Sequence, residues 1–388
     1  MTSKIIVNNI EADTGINTVT FNDDISSNTV RGNVIGDITS SGTSTFDVIS
    51  GVSTIGVTTV HLTGINDLNY PTAGPLSNRN LIINGAMGIF QRATSSTSLG
   101  YTTVDRFYSG LSGSTAVITS SQSSDSPAGF SNSFRMDVDT ADTLNGTDEF
   151  YIEQRIEAQN LQHLDYGTSS AKTLTLSFWV KSYQTGQFSA WFYQSDSARA
   201  YFKEYTVNAS GTWEYKTVTI PGDASGVIND DNGTGFIIRF YLGGGSDREG
   251  TVSTDWASSV TGNRFTSNQV QLTNNTNNYW AITGIQLELG SVATPFEHRS
   301  YGDELARCQR YYFKTSGYTK YGTVYSTAHS FVSLDLPVTM RDNPSTATAT
   351  LGGGGTVSTN YSTKNYYQQY IQNDLTVFGS DIIMDAEL

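Results

Sequence analysis

Cysteine is almost missing from this chain: one residue in 388, Cys308. That excludes a disulfide framework and a multi-cysteine zinc site within one chain. Charge is scarce too, at 15% of residues. Basic residues are the scarcer sign, 22 Lys and Arg against 36 Asp and Glu, for a net charge of −14. Such a surface repels phosphate, which argues against nucleic acid as a partner and against insertion into or binding to an anionic membrane. No apolar run approaches the roughly 20 residues that cross a bilayer. The start, Met1-Thr-Ser-Lys-Ile-Ile-Val-Asn-Asn9, has no basic segment followed by an apolar stretch, so no secretory signal is expected. The expectation is a protein made in the cytoplasm that stays soluble. Enzyme signatures are equally sparse: no Gly-x-Ser-x-Gly elbow, no His-Glu-x-x-His pair and no Gly-x-x-x-x-Gly-Lys phosphate loop. The four histidines, His61, His163, His298 and His329, lack ligand spacing. No metal and no cofactor is expected.

What the chain does have is hydroxyls, glycine and rings. Ser and Thr supply about a quarter of residues, far above ordinary usage. Gly numbers 37, Tyr 22 and Phe 18, and aromatics reach 12%, too many groups to bury for a disordered chain. The length predicts two or three domains. Residues 1–75 stand apart, repeating a short unit: Gly15-Ile-Asn-Thr-Val, Gly42-Thr-Ser-Thr-Phe, Gly51-Val-Ser-Thr-Ile and Gly56-Val-Thr-Thr-Val. Each reads as a turn glycine followed by a short β segment. A single chain of such segments cannot bury its apolar side, so intertwined chains are expected to close the core. A flexible linker is the alternative. Tyr70-Pro-Thr-Ala-Gly-Pro75 reads as the boundary.

From residue 76 to about 300 the pattern predicts an antiparallel β-sandwich. Leu174, Leu176, Phe178 and Val180 alternate with polar residues and Trp179, the period of two of a half-buried strand. Phe188, Ala190 and Phe192, then Phe134, Met136 and Val138, then Phe236, Ile238, Phe240 and Leu242, repeat it. Turn clusters at 126–129, 208–211, 221–223 and 242–245 separate the strands, which suggests a sandwich or jelly roll. Ser300-Tyr-Gly-Asp303 resembles a capping box, and Leu305, Cys308 and Tyr312 share a helical face. A linking helix is expected over about 302–313, within a segment 301–314. Residues 315–388 return to short strands (323–325, 331–336, 375–378), with glycines 352–355 and a Tyr-rich stretch. At about 75 residues this is a small core for an independent domain.

Recognition by aromatic faces and flanking amides is the chemistry these residues offer. A ring presents an apolar surface to the C–H face of a sugar while polar neighbours bond its hydroxyls. Trp179, Trp191 and Tyr193 occupy the non-core side of two adjacent strands, with Arg239 and Tyr241 on a third, and are expected to form one platform. Packing against another surface is the competing account of the same rings. Tyr361, Tyr366, Tyr367 and Tyr370, beside Asn360, Asn365, Gln368 and Gln369, form a second candidate, with the adaptable composition of a recognition surface; a Tyr-rich trimer contact explains it equally. Glycoside hydrolysis would need two carboxylates flanking one bond, about 5–9.5 Å apart. Glu153 and Glu157, in one strand, stand roughly 13 Å apart, which does not suit it.

Three passages carry a resemblance: Asn80-Leu-Ile-Ile-Asn-Gly85; Leu174-Thr-Leu-Ser-Phe-Trp-Val-Lys181 with Thr212-Trp-Glu-Tyr-Lys-Thr-Val-Thr-Ile-Pro221; and Ile282-Thr-Gly-Ile-Gln-Leu-Glu-Leu-Gly290. Their order is similar to that of jelly-roll carbohydrate-binding modules. With Ser291-Val-Ala-Thr-Pro-Phe-Glu-His-Arg-Ser-Tyr301 and Cys308-Gln-Arg-Tyr-Tyr312, the set resembles the distal part of bacteriophage tail fibres. The N-terminal repeats resemble those of cyanophage structural proteins. The resemblance implies a homotrimeric virion appendage, joined to a phage tail or adaptor protein through its N-terminal region, with its β domains binding host surface polysaccharide. It also implies that Trp213 and Trp280 are core. Many such modules hold calcium near the first strand, but Ala86, Met87 and Gly88 follow Asn84-Gly85 here, leaving Glu288 as a lone acid where six to eight oxygens are wanted. A purely structural neck, head or baseplate fibre would share this composition, and a depolymerase would need two convergent carboxylates.

Overall fold

The computed structural model describes residues 77–320, 323–326, 329–349, 356–372 and 378–388. The N-terminal repeats, the glycines 352–355 and most of the strand expected over 375–378 lie outside the described residues. The strands in chain order are β1 (Ser95–Ser96), β2 (Tyr108–Ser112), β3 (Val117–Ser123), β4 (Ser133–Thr140), β5 (Glu149–Glu157), β6 (Leu174–Ser182), β7 (Gly186–Gln194), β8 (Arg199–Val207), β9 (Glu214–Ile220), β10 (Thr234–Gly244), β11 (Ala257–Ser258) and β12 (Tyr279–Leu289). They form two six-stranded antiparallel sheets, ordered β1-β3-β4-β12-β6-β9 and β11-β8-β7-β10-β5-β2. The chain passes between sheets at β1–β2, β2–β3, β4–β5, β5–β6, β6–β7, β8–β9, β9–β10 and β11–β12. Eight central strands, β4-β12-β6-β9 facing β5-β10-β7-β8, reproduce the strand order of a jelly roll. The all-β sandwich expected from the alternation is therefore the observed fold.

The residues that turn inward recur with the strand period of two. Leu174, Leu176, Phe178, Val180, Phe188, Ala190, Phe192, Phe236, Ile238 and Phe240 turn inward and are buried. Phe178 is the hub of the layer, edge-on to both Phe240 and Tyr205 at 5.0 Å. Trp280 is core, as the resemblance implied, but Trp213 is not: it is half-buried and donates its indole N–H to Asp125 at 3.1 Å. The cluster at 242–245, read as a turn, instead continues β10 through Gly244. A Cβ on Gly244 would meet the Phe265 ring at 2.4 Å, so glycine is there for a close approach.

The helix α1 runs Tyr301–Gln309, capped by Ser300, whose Oγ accepts from the Asp303 N–H at 3.2 Å. It stops earlier than expected because Tyr312 opens β13 (Tyr312–Lys320). After it come β14 (Thr323–Ser326), β15 (His329–Asp335), β16 (Thr346–Ala349), β17 (Thr356–Ser362), β18 (Tyr366–Gln372) and β19 (Phe378–Asp385). These make a three-stranded sheet, β13-β19-β16, and a four-stranded one, β14-β15-β18-β17. Phe313, Met340, Tyr367, Ile382 and Met384 share a core there. Its root is bonded to the jelly roll. Glu387 pairs with the buried Arg106, and the Arg155 side chain donates to the Leu388 carbonyl at 2.7 Å. Arg310 grips Glu157 through two bonds of 2.8 and 2.7 Å, and the Tyr311 hydroxyl donates to the same carboxylate at 2.5 Å.

Burial disfavours the Glu157 carboxylate, but the bonds from Arg310 and Tyr311 outweigh it and hold its pKa below the ordinary 4.5. A lowered carboxylate pKa contributes stability that is complete above the ordinary value and drains away as pH falls through the folded one. Glu157→Gln is expected to cost about 1–3 kcal/mol near pH 7. It should also lose less stability than the parent between neutral and acid pH, read by urea unfolding at several pH values.

Candidate functional site

The structure divides the expected platform. Trp179, Trp191 and Tyr193 all point away from the core, as alternation requires, but β6 and β7 belong to different sheets. Trp179 therefore faces outward on one side of the sandwich, and Trp191 and Tyr193 on the other. Alternation reports only inside against outside, and the two sheets share one inside.

On the β7–β10 side the other expected residues do assemble. Arg239 lies opposite both Trp191 and Glu153 in register. Its guanidinium bonds Glu153 at 2.8 Å, meets the Tyr241 hydroxyl at 3.1 Å and covers the Tyr151 ring at 3.6 Å. Burial opposes its charge, but Tyr241 and Glu153 more than offset that and raise its pKa. Most of this platform is nonetheless covered. The excursion between β10 and β12 folds back over it, bringing Phe265 edge-on to Tyr241 at 5.3 Å and Arg264 over Trp191 at 4.2 Å. Trp191 keeps 3% of its surface and Tyr241 none. Burial pushes the Tyr241 hydroxyl up to about 12. Packing thus claims Trp191 and Tyr241, while Tyr193 and Tyr151 stay half-buried.

The tyrosines of the last segment also part. Tyr366 and Tyr367 are adjacent in β18, so they take opposite faces. Tyr367 is fully buried, with its hydroxyl pushed up to about 12 by that burial, and is not a recognition residue. Tyr366 is half-buried. Tyr361 pairs with Gln368, and Tyr370 with Phe331, in the strand register; their side chains are outside the described residues.

On the Trp179 side lies an open aromatic cleft of about 430 Å³ that the sequence reading did not assemble. One wall is Trp179 with Tyr215, centroids 5.4 Å apart, Tyr215 being 45% exposed. The other is Phe130 with Phe296 at 5.0 Å and His298, which contacts Phe130 at 5.3 Å and Phe296 at 4.8 Å. Ser177 is a polar group in the lining. Between the walls sits Gly284, at φ +62°, in the interval of β12 where its register against β6 shifts. A Cβ there would lie 2.6 Å from Phe130 and 3.1 Å from Trp179, so a side chain would crowd the groove. Tyr215 had a sequence signal: it faces outward with Thr217 and Thr219 against the inward Val218 and Ile220. Phe130, Phe296 and His298 sit on loops, where no period marks them. A larger, polar depression of about 690 Å³ adjoins the start of α1. Two of its arginines are already engaged, Arg299 with Glu297 and Glu304, and Arg310 with Glu157.

Three of the acids are engaged within the protein. Glu153 holds Arg155 and Arg239, and Glu157 holds Arg310. Glu288 is fully buried, accepting from the Thr294 N–H at 2.9 Å and hydroxyl at 2.6 Å, with Arg79 at 3.7 Å.

No protein-family model matches the chain, and no curated protein sequence matches it. Among solved structures, the enzymatically active domain of tailspike protein 4 of bacteriophage CBA120 is 14% identical, over 54% of this chain and 21% of that one, with a TM-score of 0.30. The chain thus spans about a fifth of that protein's length. A carbohydrate-binding module, TmCBM61, in complex with β-1,4-galactotriose is 10% identical over 55% of this chain and 99% of that one, at 0.29. A family 11 carbohydrate-binding module of a Clostridium thermocellum cellulase is 16% identical over 53% and 98%, at 0.26. The fold stands on the strand order rather than on these likenesses: this is an all-β protein built on a jelly-roll sandwich.

Gly284→Ala places a β-carbon in left-handed backbone between two rings. It is expected to cost about 1–3 kcal/mol, measured by urea unfolding, and to blue-shift Trp179 emission as the cleft narrows.

Proposed function

We propose that this chain is a non-enzymatic glycan-binding fibre protein of a phage virion, gripping host surface polysaccharide in the Trp179–Tyr215 cleft. The observation that carries the glycan-binding reading is the cleft itself. Its 430 Å³ lies in the size range of small-molecule sites. Its walls are rings, suited to the C–H faces of a pyranose, and His298 and the Tyr215 hydroxyl, which the buried Ser177 backs, offer hydrogen bonds. A surface with little charge suits a neutral sugar. The virion setting rests on the sequence resemblance: a homotrimer, attached to a tail or adaptor protein through residues 1–75, made in the host cytoplasm and carried outside the particle. Three weak sites per fibre would act by avidity. The non-enzymatic reading is supported by Glu153 and Glu157, each spent on arginine.

A structural fibre without receptor binding is the second reading, favoured by the burial of Trp191 and Tyr241. The test uses fluorescently labelled full-length protein on host cells, with calorimetry against neutral oligosaccharides. Trp179→Ala and Tyr215→Ala are each expected to weaken binding about tenfold, or roughly 1.4 kcal/mol, with folding intact. If the folded parent stains no host cell at any concentration, receptor binding falls and the structural reading replaces it.

A further inference from the structure

The opposite face of the sandwich holds an arginine, Arg264, that makes no ion pair among the described residues. Four arginines gather around the outward rows of β5, β7 and β10, and they share two carboxylates. Glu153 pairs with Arg155 and Arg239, and Glu149 pairs with Arg239 and Arg248. Arg264 pairs with neither. The acid in the neighbouring row, Glu204, accepts a hydrogen bond from Thr266 instead. Arg264 donates from Nη1 to the Ser259 hydroxyl in a long contact of 3.4 Å, and its Nε is buried with no acceptor. The indole N–H of Trp191, beneath it, is also buried without one. The place is rich in donors and short of acceptors.

Its position is nonetheless fixed. The Arg264 backbone N–H donates to the Arg248 carbonyl at 3.0 Å, and its carbonyl accepts the Ser189 hydroxyl at 2.8 Å. The guanidinium lies 4.2 Å over the Trp191 ring, against which Tyr193 stacks at 5.1 Å and 11°. Arg264 and half-buried Tyr193 thus both lie against one indole, a cationic fork and a second ring sharing that contact. Burial pulls the Arg264 pKa down; Tyr241 and Glu149 pull against it, while Arg239 and Arg248 add repulsion. Its charge is therefore held at a cost that an anion would relieve. A fork of N–H donors matches a carboxylate bidentately.

From this geometry we infer a second glycan site, distinct from the Trp179 cleft, that takes a carboxylate-bearing sugar: the acid on Arg264 and the ring face on Tyr193. It does not rest on the first site, which lies on the other sheet. The chain as a whole carries −14, so an acidic sugar would be held by the local bonds to Arg264 rather than by the overall field.

The test is calorimetric titration of the full-length protein with oligogalacturonate and with sialyllactose. The methyl-esterified galacturonate oligomer and a sulfated oligosaccharide are the comparison arms. At least one carboxylated probe is expected to bind saturably, with its uncharged counterpart at least tenfold weaker. Arg264→Gln should lose at least tenfold while Trp179→Ala keeps full affinity. Arg264→Lys, which retains the charge without the fork, should recover only part, and it decides the matter together with the ester arm if Arg264→Gln does not fold. No binding by either carboxylated probe, equal binding of acid and ester, or full affinity in the folded Arg264→Gln protein would overturn the site. Preference for the sulfated oligomer would overturn the carboxylate assignment.

Discussion

Closure of two sheets on one apolar layer is the constraint behind the rest of the structure. Phe178, Tyr205, Phe240 and Trp280 interlock there at ring separations of 5.0–6.4 Å. Their burial fixes which residue of each strand faces in, because a slip of one position would turn a whole strand inside out. Every outward residue is then free of the core and available for other work. Trp179 is outward because Phe178 and Val180 are inward, and the same holds for Trp191 between Ala190 and Phe192.

What becomes of an outward ring is decided by the loops. On the β7–β10 side, the long excursion before β12 returns across the sheet and seats Phe265 on Tyr241, which glycine at position 244 permits. The rings beneath become a satellite core, while Tyr193, Arg264 and Tyr151 at its margin stay half-buried. On the other side the loops carrying Phe130 and Phe296 stand up as a wall and leave a gap before Trp179. The gap exists because β12 shifts register at Gly284, where no side chain intrudes. One sandwich thus has a roofed face and an open one, from the same kind of strand.

The last segment shows how contacts between units override composition. Its tyrosines read as a recognition tip, yet Tyr367 completes a core with Phe313 and Met384. The segment's root is fastened to the jelly roll through Glu157 and Arg106, two charges buried against opposite charges. Breaking such a pair leaves an uncompensated ion, which makes the junction sensitive to single substitutions.

Much of the fold was legible in the sequence because local physics wrote it there. Alternation at 134–138, 174–180, 188–192 and 236–242 marked four strands that exist, the last running on through the glycines read as a turn, and Ser300 with Asp303 marked the start of the helix. Scarce cysteine and basic charge narrowed the chemistry before any contact was known. The site was less legible. A period of two says that Trp179 and Trp191 are both outward, but not that β6 and β7 lie in different sheets. Phe130, Phe296 and His298 are far from Trp179 in sequence and sit on loops without a period, so their meeting is a property of tertiary structure alone. The same is true of Arg264, which makes no ion pair among the described residues although Glu149 and Glu153 stand on the same face.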